Sequence, residues 1–542
     1  MTNPRAAHPL PVPPMHPFLW GTPAEARPLG DGTRGLLAGV LGIEPRPAER
    51  PSLDDVELTE PALSDGDAAA IAAIVGDDAV SADRDQRLGR ARGKSYPDLL
   101  DWRSGDVISA PDACVAPGAE DELLAVLELC SERGIAVVPF GGGTSVVGGV
   151  TPDRGDFGAV ISLDLARFNG LEDLDPVSGE ATFGAGLTGP EAEKLLGEQG
   201  WSLGHFPQSF PYATIGGYAA TRSSGQDSSG YGRFDEMIRG LTVVTPTGIT
   251  EVGRAPASAA GPDLREVFVG SEGAFGVITR VRLRIHRKPT VVRHEAFRFP
   301  DFAVGAAGLR EVTQQATCPT VIRLSDEPET MVNLAGSTEG IGELSMNPGC
   351  LCITMYEGAE GEEDVVEARM ARTREILEAH GGQSAGAAPA EAWEHGRFGA
   401  PVLRDALLDA GAVCETLETA TDWSNVGKLH TAVGEAVTGA LAPAPSFVLC
   451  HISHVYDTGA SLYFTVVGAQ SDDPRAQWAT AKDAACRAIV DNGATITHHH
   501  AVGKDHRPYL AEEIGEVGVA VLRGIKNAVD PAGIMNPGKL VP

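Results

Sequence analysis

Long hydrophobic runs are missing from this sequence: nowhere do about twenty apolar residues follow one another, the length that a membrane-spanning helix needs. Paired cysteines are missing too. The eight cysteines, at 114, 130, 318, 350, 352, 414, 450 and 486, form no CxxC pair, so neither a zinc ribbon nor a disulfide framework is indicated. Cys350 and Cys352 stand in an apolar, strand-like run where packing on one face explains them. Basic residues are in deficit. Against 74 Asp and Glu there are only 43 Lys and Arg, a net charge of −31 that repels nucleic acid and anionic membrane surfaces. A local basic pocket for a small anion stays compatible with that balance. The opening MTNPRAAHPLPVPPMHPF places prolines where a secretory leader needs its apolar core, so a cytoplasmic protein is expected. What remains is ordinary globular material, 42% hydrophobic and 22% charged over 542 residues, enough for about two to four domains.

Glycine, in contrast, is abundant and clustered. An apolar run at 135–140 ends in Gly141, Gly142 and Gly143, followed by Thr144, Ser145 and a second pair, Gly148 and Gly149. Residues without a Cβ let backbone N–H groups turn toward one point and let a phosphate come close. A plain Gly-rich hairpin fits the same string. A Rossmann phosphate loop does not, because that loop opens directly into a helix, whereas here TPDRGDFG follows and then a strand at 159–165. Two further clusters occupy 207–232, rich in small and hydroxyl-bearing residues, and 269–279 (VGSEGAFGVIT), which runs from a Gly loop into a strand.

Around these loops the periodicity predicts short strands at 107–108 and 113–115. It predicts an amphipathic helix at 119–133, with acids in its first turn and Arg133-Gly134 at its end. Further strands are expected at 180–186, 238–245, 249–252 and 277–285, and helices at 65–75 and 190–200. Residues 1–50, rich in Pro, Arg and Gly, read as an extended arm tied to another domain by Trp20, and 81–105 reads as a loop. The composition changes near Pro289. From there, helices at 302–316, 362–380 and 425–440 alternate with strands at 319–324, 350–356, 446–453 and 461–467, which suggests a second α/β domain. A helix at 476–492, a strand-like 494–497, the string HHHAVGK and a helix at about 509–528 lead to the end.

Three Gly-rich clusters in this order, with the strings PFGGGTS, ATIGGYAATRSSG, GSEGAFGVIT, VIRLSD, YDTGASLYF and GATITHHHAVGK, carry a family resemblance. From about residue 95 to residue 531 the chain resembles the FAD-binding proteins of the vanillyl-alcohol oxidase and p-cresol methylhydroxylase (PCMH) fold. Within them it is similar to the alkyl-dihydroxyacetonephosphate synthase (alkylglycerone-phosphate synthase) family. The resemblance implies an α+β fold, a two-part PCMH-type FAD-binding domain with an α/β cap domain. Its parts would be an arm with helices at 1–94, the FAD-binding domain at 95–289, the cap at 290–492 and a segment at 493–542 returning to the active site. FAD would be held in the first loop by Pro139, Phe140, Gly141, Gly142, Gly143, Thr144 and Ser145. In the second it would meet Gln208, Thr214, Gly216, Gly217, Thr221, Arg222, Ser223 and Ser224. In the third it would meet Glu272, Gly273, Ala274, Phe275, Gly276, Val277 and Ile278. The family has an acid where Gln208 stands. No flavin-linking His or Cys occupies the corresponding places, so noncovalent FAD is expected.

The family exchanges the acyl group of an acyl-dihydroxyacetonephosphate for a fatty alcohol without net redox change, flavin N5 holding the sugar C1 meanwhile. A base must take a C1 proton, and donors must stabilise charge on the oxygens. Tyr463 matches the family's catalytic Tyr, and nearby cations would lower its pKa; on its own it reads as an aromatic in a strand. His498, His499 and His500 match the family's three-His run. Consecutive residues of a regular element cannot all face one point, so no metal is expected there. Arg404 matches the Arg that binds the substrate's phosphate through two-donor geometry, although a surface helix charge is its plain alternative. Arg323 matches an Arg near the flavin, Thr416 stands where the family has Ser, and Lys504 is a further candidate cation. The partner expected is a small-molecule or lipid substrate with an anionic head; a homodimer and peripheral membrane contact stay open. The main rival is an FAD-linked D-2-hydroxyacid (lactate- or glycolate-type) dehydrogenase or oxidase, which IMNPGKL favours. That class carries a His-containing, metal-binding GDGNLH run where this chain has SHVYDTGASLYF. Animal members of the synthase family carry a long hydrophobic and basic insertion after IRL, where this chain has a short acidic loop at 327–349.

Overall fold

The computed structural model describes residues 12–44, 50–315, 317–336 and 349–542. Before Pro289 two large sheets form, beside the two-stranded pair Trp201–Ser202 and His286–Arg287. One has four strands in the order Val80–Ser81, Ala113–Val115, Ala159–Asp164, Ile135–Phe140, the last three parallel. The helix Glu120–Arg133 connects two of them, ending at Gly134 in the left-handed region, where a side chain would be strained. The second sheet has five antiparallel strands, Leu171–Asp175, Glu180–Gly184, Val277–Arg284, Ile238–Thr245 and Gly248–Val252. The parallel strands are buried almost throughout and read as apolar runs, whereas Val277–Arg284 alternates buried Val281 and Leu283 with the more exposed Arg280, Arg282 and Arg284.

After Pro289 a third large sheet, of seven strands, runs Gln383–Gly386, Val291–Phe299, Cys350–Gly358, Val321–Ser325, Ser446–Ile452, Gly459–Ala469, Ala412–Asp422. Every pairing in it is antiparallel. Alternation of strands and helices along the chain had suggested an α/β unit. The helices instead join strands that return antiparallel, as in an α+β layer. Helices Phe302–Gln314, Glu363–Ala379, Val426–Leu441 and Pro474–Asp491 belong to this lobe, and the sheet's one face packs with them through Leu462, Phe464, Val466, Cys450 and Ile452. The opposite face looks toward the first lobe. Cys350 and Cys352 are both fully buried in this sheet.

Several stretches differ from the sequence expectation. The supposedly extended arm contains a helix, Asp31–Leu41, burying Leu37 and Leu41 despite three internal glycines. The expected loop at 81–105 contains helices Arg84–Leu88 and Tyr96–Ser104. The latter starts at a reciprocal cap in which Ser95 Oγ accepts from Asp98 N (3.1 Å) and Asp98 Oδ2 from Ser95 N (3.2 Å). The loop at 207–232 contains helix Ile215–Thr221, capped by Thr214. The acidic segment at 327–349 begins as a helix, Glu327–Gly336, and its residues 337–348 lie outside the described part. Residues 107–108 and 494–497 contribute isolated bridges only, Leu58 with Ile108 and Ala420 with Thr495.

The C-terminal segment returns to the first lobe. Val137 N donates to Ile534 O and Asn536 N to Val137 O, so the chain end continues the parallel sheet beside the Gly loop.

Candidate active site

A cavity of about 1300 Å³ lies between the lobes. Its first wall is backbone. A Cβ on Gly141 would run into the Thr214 hydroxyl and one on Gly142 into the Tyr212 carbonyl, so the loop carries no side chains at its closest approach to the second cluster. Gly143 has φ +67°, which only glycine adopts without strain. Pro139, Phe140, Thr144, Ser145, Gln208, Thr214, Gly216, Gly217, Thr221, Ser223, Ser224, Glu272, Gly273, Gly276, Val277 and Ile278 line the same cavity. Three of the residues expected there do not. Ala274 and Phe275 turn into the apolar core, and Arg222 points outward to Asp235 (3.1 Å) and Glu266 (2.6 Å). The third loop is pinned from behind: Glu272 accepts from Val502 N (2.9 Å) and Gly503 N (2.6 Å), and its carbonyl from Asn536 Nδ2 (2.7 Å). Burial pushes the Glu272 carboxyl up to about 7, against those two N–H groups and Lys539.

The second wall is the free face of the seven-stranded sheet. Side chains on a strand alternate between faces, and here Cys414 and Thr416, then Tyr463, Thr465 and Val467, then Phe447, Leu449, His451 and Ser453, then Arg323 and Ser325 all line the cavity. Register brings the polar ones together: Tyr463 lies opposite Glu418 on one neighbour and His451 on the other. The Tyr463 ring stacks on His451 (centroids 4.9 Å apart) and His499 (6.0 Å) and meets His500 edge-on (5.5 Å). Burial pushes its phenol up to about 12, outweighing a hydrogen bond with Thr416 and the charge of Arg404. The lowered pKa expected from nearby cations is therefore reversed: burial is the largest cause, and the charges of Glu415 and Glu418 add to it.

Two carboxylates that brace this wall, Glu418 behind it and Glu329 within it, have no counterpart in the sequence expectation. Glu418, fully buried, accepts from Thr497 Oγ1 (2.7 Å), His498 N (2.6 Å), His499 N (3.0 Å) and His500 N (2.8 Å). Burial opposes its charge, yet the surrounding imidazoles and N–H groups hold the carboxyl well below the usual range. It gathers the His run on irregular backbone, with all three Nδ1 atoms 3.6–3.9 Å from the carboxylate. His499 and His500 line the cavity; His498 does not, its Nε2 lying 2.5 Å from the Tyr456 hydroxyl. Burial pushes His500 down to about 3 and lowers His499 as well, against the charge of Glu418. His454, His498 and His499 bring ligand nitrogens within 4.8 Å of one another, the one group among the described residues that approaches metal-binding spacing.

Glu329 is the other carboxylate. Its Oε1 accepts from Arg323 Nη2 (2.8 Å) and lies 3.0 Å from His451 Nδ1, fixing the imidazole on which Tyr463 stacks. Burial resists its ionisation, but His451 and Arg323 hold it down to about 2. The period-2 pattern could have pointed to Glu418 and His451, which fall in step with Thr416 and Leu449. Glu329 lies on a helix and left no such trace.

Arg404, on helix Ala400–Asp409, is buried at the cavity's edge. Its Nη1 donates to Lys94 O (2.7 Å), while Nε and Nη2 have no hydrogen-bond partner among the described residues. Buried donors without partners are costly and point to a missing acceptor. Gln208 Nε2 and Ser224 Oγ, on the opposite wall, are unpartnered too. Lys504 is exposed and lies off the cavity.

Comparison with known proteins bears on this arrangement. Residues 111–253 match the FAD binding domain family and residues 288–540 the family described as FAD linked oxidases, C-terminal domain. The alkyldihydroxyacetonephosphate synthase of Trypanosoma brucei brucei is 31% identical over 527 residues, covering 93% of this chain and 85% of that protein. The chain belongs to the alkyldihydroxyacetonephosphate synthase family. A solved structure of an alkyldihydroxyacetonephosphate synthase superposes with a TM-score of 0.81 at 29% identity, over 94% of this chain and 92% of that one. p-Cresol methylhydroxylase with substrate bound, 16% identical with a TM-score of 0.69 over 89% of this chain and 98% of its own, shares the fold. The glycolate oxidase subunit GlcD of Bacillus subtilis is 26% identical over 438 residues, 80% of this chain and 89% of its own. This member of the synthase family is an FAD-dependent enzyme. The side-chain-free cradle at Gly141 and Gly142 and the unpartnered Gln208 and Ser224 fit that cofactor.

Proposed function

We propose that this protein replaces the acyl group of an acyl-dihydroxyacetonephosphate with a fatty alcohol, forming an ether-lipid precursor on noncovalently held FAD. The reading is carried by one observation: Arg404, with two open guanidinium donors, shares a cavity with Tyr463 and the flavin loops. Two parallel N–H donors match a phosphate monoester. His499 and His500 line the cavity beside Tyr463 and take the C1 proton; burial weakens them as bases, and the Glu418 carboxylate 3.6–3.9 Å from their Nδ1 atoms supports the imidazolium that forms. Tyr463, which keeps its proton, donates to the departing carboxylate oxygen, with Thr416 orienting the phenol. Bound FAD supplies the nucleophilic ring nitrogen for the exchange. Beyond Arg404 the cavity turns apolar, with Leu36, Leu37 and Leu41 of the arm helix facing Leu351, Leu403 and Leu407, a surface for an aliphatic chain.

The test is anaerobic incubation of the yellow protein with a palmitoyl-dihydroxyacetonephosphate and labelled hexadecanol, and separately with D-lactate and glycolate. Labelled ether product without lasting flavin bleaching supports the exchange. Bleaching by a hydroxyacid with no ether transfers the case to the glycolate-oxidase-like chemistry. Mild acid should release the flavin; flavin retained on the acid-precipitated chain contradicts noncovalent binding. No helix among the described residues is long and apolar enough to cross a membrane. We propose in addition that the lipid is collected by peripheral membrane contact and that the protein is a cytoplasmic homodimer, which vesicle flotation and light scattering examine.

A further inference from the structure

Arg404 stands between two buried carboxylates and hydrogen-bonds to neither. Its Nη2 is 3.9 Å from Asp405 Oδ1, and its Nη1 is 3.7 Å from Glu415 Oε1. Left alone in so dry a place, a guanidinium and a carboxylate would close into a two-pronged pair. Backbone N–H groups prevent it. Tyr96 N donates to Glu415 Oε2 and Thr416 N to Oε1 (2.8 Å). Asp405 Oδ2 is taken by the backbone N–H of Trp20, which lies 385 residues away in the N-terminal arm.

The arm is fastened at several points around that contact. Lys94, buried, donates through Nζ to His16 O (2.7 Å) and Pro17 O (3.0 Å), and its own carbonyl is the acceptor for Arg404 Nη1. Farther on, Glu25 Oε2 accepts from the Tyr212 hydroxyl (2.6 Å), on the loop that backs Gly142, and the Trp20 ring meets Tyr212 edge-on. The arm thus bridges the helix that carries Arg404 and the flavin-side loop, with Trp20 in the cavity wall.

We infer that the N-terminal arm is a positioning element of the anion site: the Trp20 N–H holds Asp405 away from Arg404 and so keeps two guanidinium donors open for the phosphate of the substrate. The inference rests on the anion-binding reading of Arg404 given above. It makes Trp20 a positioning residue whose backbone, not its indole, matters for anion affinity. Without that N–H, Asp405 rotates onto Arg404 and the site neutralises itself.

The test uses the full-length, FAD-loaded protein and glycerol 3-phosphate as probe, with affinity read by calorimetry. Trp20→Ala keeps the N–H and loses the ring; Trp20→Pro loses both. The expected result is affinity within about threefold of the parent for Trp20→Ala and a loss of about tenfold or more for Trp20→Pro, one broken charge-assisted contact's worth. Adding Asp405→Asn to Trp20→Pro should restore binding to near the parent, because a neutral amide cannot neutralise Arg404. That recovery is a response a merely distorted arm does not give. Equal binding by Trp20→Pro and Trp20→Ala, or no recovery on adding Asp405→Asn, overturns the inference while leaving the anion site in place. A parent that binds no glycerol 3-phosphate overturns the anion reading itself, and this inference with it. Flavin content and unfolding midpoint, measured on each variant, separate misfolding from loss of the contact.

Discussion

The two walls of the cavity are made by opposite means. The flavin wall recognises through backbone: its work is done by what Gly141, Gly142 and Gly143 lack, and its residues are consecutive in the chain. The cap wall is built from side chains that are far apart in the chain: the register of an antiparallel sheet assembles Arg323, Thr416 and Tyr463, helix Ala400–Asp409 brings Arg404, and the loop held by Glu418 brings His499. A backbone cradle tolerates almost no added volume. A side-chain wall tolerates volume but depends on charge and hydrogen-bond geometry held by Glu418 and Glu329. The two walls should therefore fail differently.

The largest effect should come from the cap. Tyr463→Phe removes only the phenolic hydroxyl, and turnover should fall by about a thousandfold, within the range for lost general acid catalysis, while flavin content stays unchanged. Near-parental turnover would take Tyr463 out of the reaction. On the other wall, Gly142→Ala places a methyl against the Tyr212 carbonyl. FAD affinity should drop about ten- to a hundredfold by the cost of overpacking, with glycerol 3-phosphate affinity nearly kept; parallel loss of both ligands would mean that the walls are not separable. Arg404→Lys keeps the charge but loses the fork. KM for the anionic substrate should rise about tenfold with kcat less affected, and an unchanged KM would count against Arg404 as the phosphate ligand.

The subtlest difference lies in pH. Burial raises Glu272 from its ordinary range near 4.5 to about 7, so between those values the folded protein binds a proton that the unfolded chain has released. Glu272 thus costs stability increasingly as pH rises from 4.5 to 7, and fully above 7. Glu272→Gln lacks that cost. In flavin-free protein, its stability relative to the parent should improve by on the order of 2 kcal/mol between pH 4.5 and pH 8, read by denaturant unfolding. A pH-independent difference would show that Glu272 keeps an ordinary carboxyl.

The same contrast explains what could be read without a structure. The glycine loops are legible because their function is local: missing Cβ atoms and turn-forming residues are written side by side. The placement of Tyr463 against His499 needed the pairing of strand Gly459–Ala469 with both neighbours, information that no local pattern carries. The strand pattern could place Glu418 but not its role, because its partners are backbone N–H groups of residues 498–500, about eighty positions on. Arg222, Ala274 and Phe275 mark the opposite error. They belong to contiguous motifs, yet motif membership did not say which way each side chain turns: one outward to Asp235 and Glu266, two into the core. The arm helix Asp31–Leu41 escaped because glycine-rich composition hid a packed Leu37 and Leu41.

That a cap-held anion sits over the flavin is the claim on which everything else depends, and the flavin's own spectrum tests it. FAD-loaded protein is titrated with glycerol 3-phosphate while binding is followed by calorimetry. Saturable displacement of the flavin absorption bands, with the same affinity as the heat signal and weakened in parallel by Arg404→Lys, is the expected result. Binding heat with an unperturbed flavin spectrum, or spectral change indifferent to Arg404→Lys, would contradict the account.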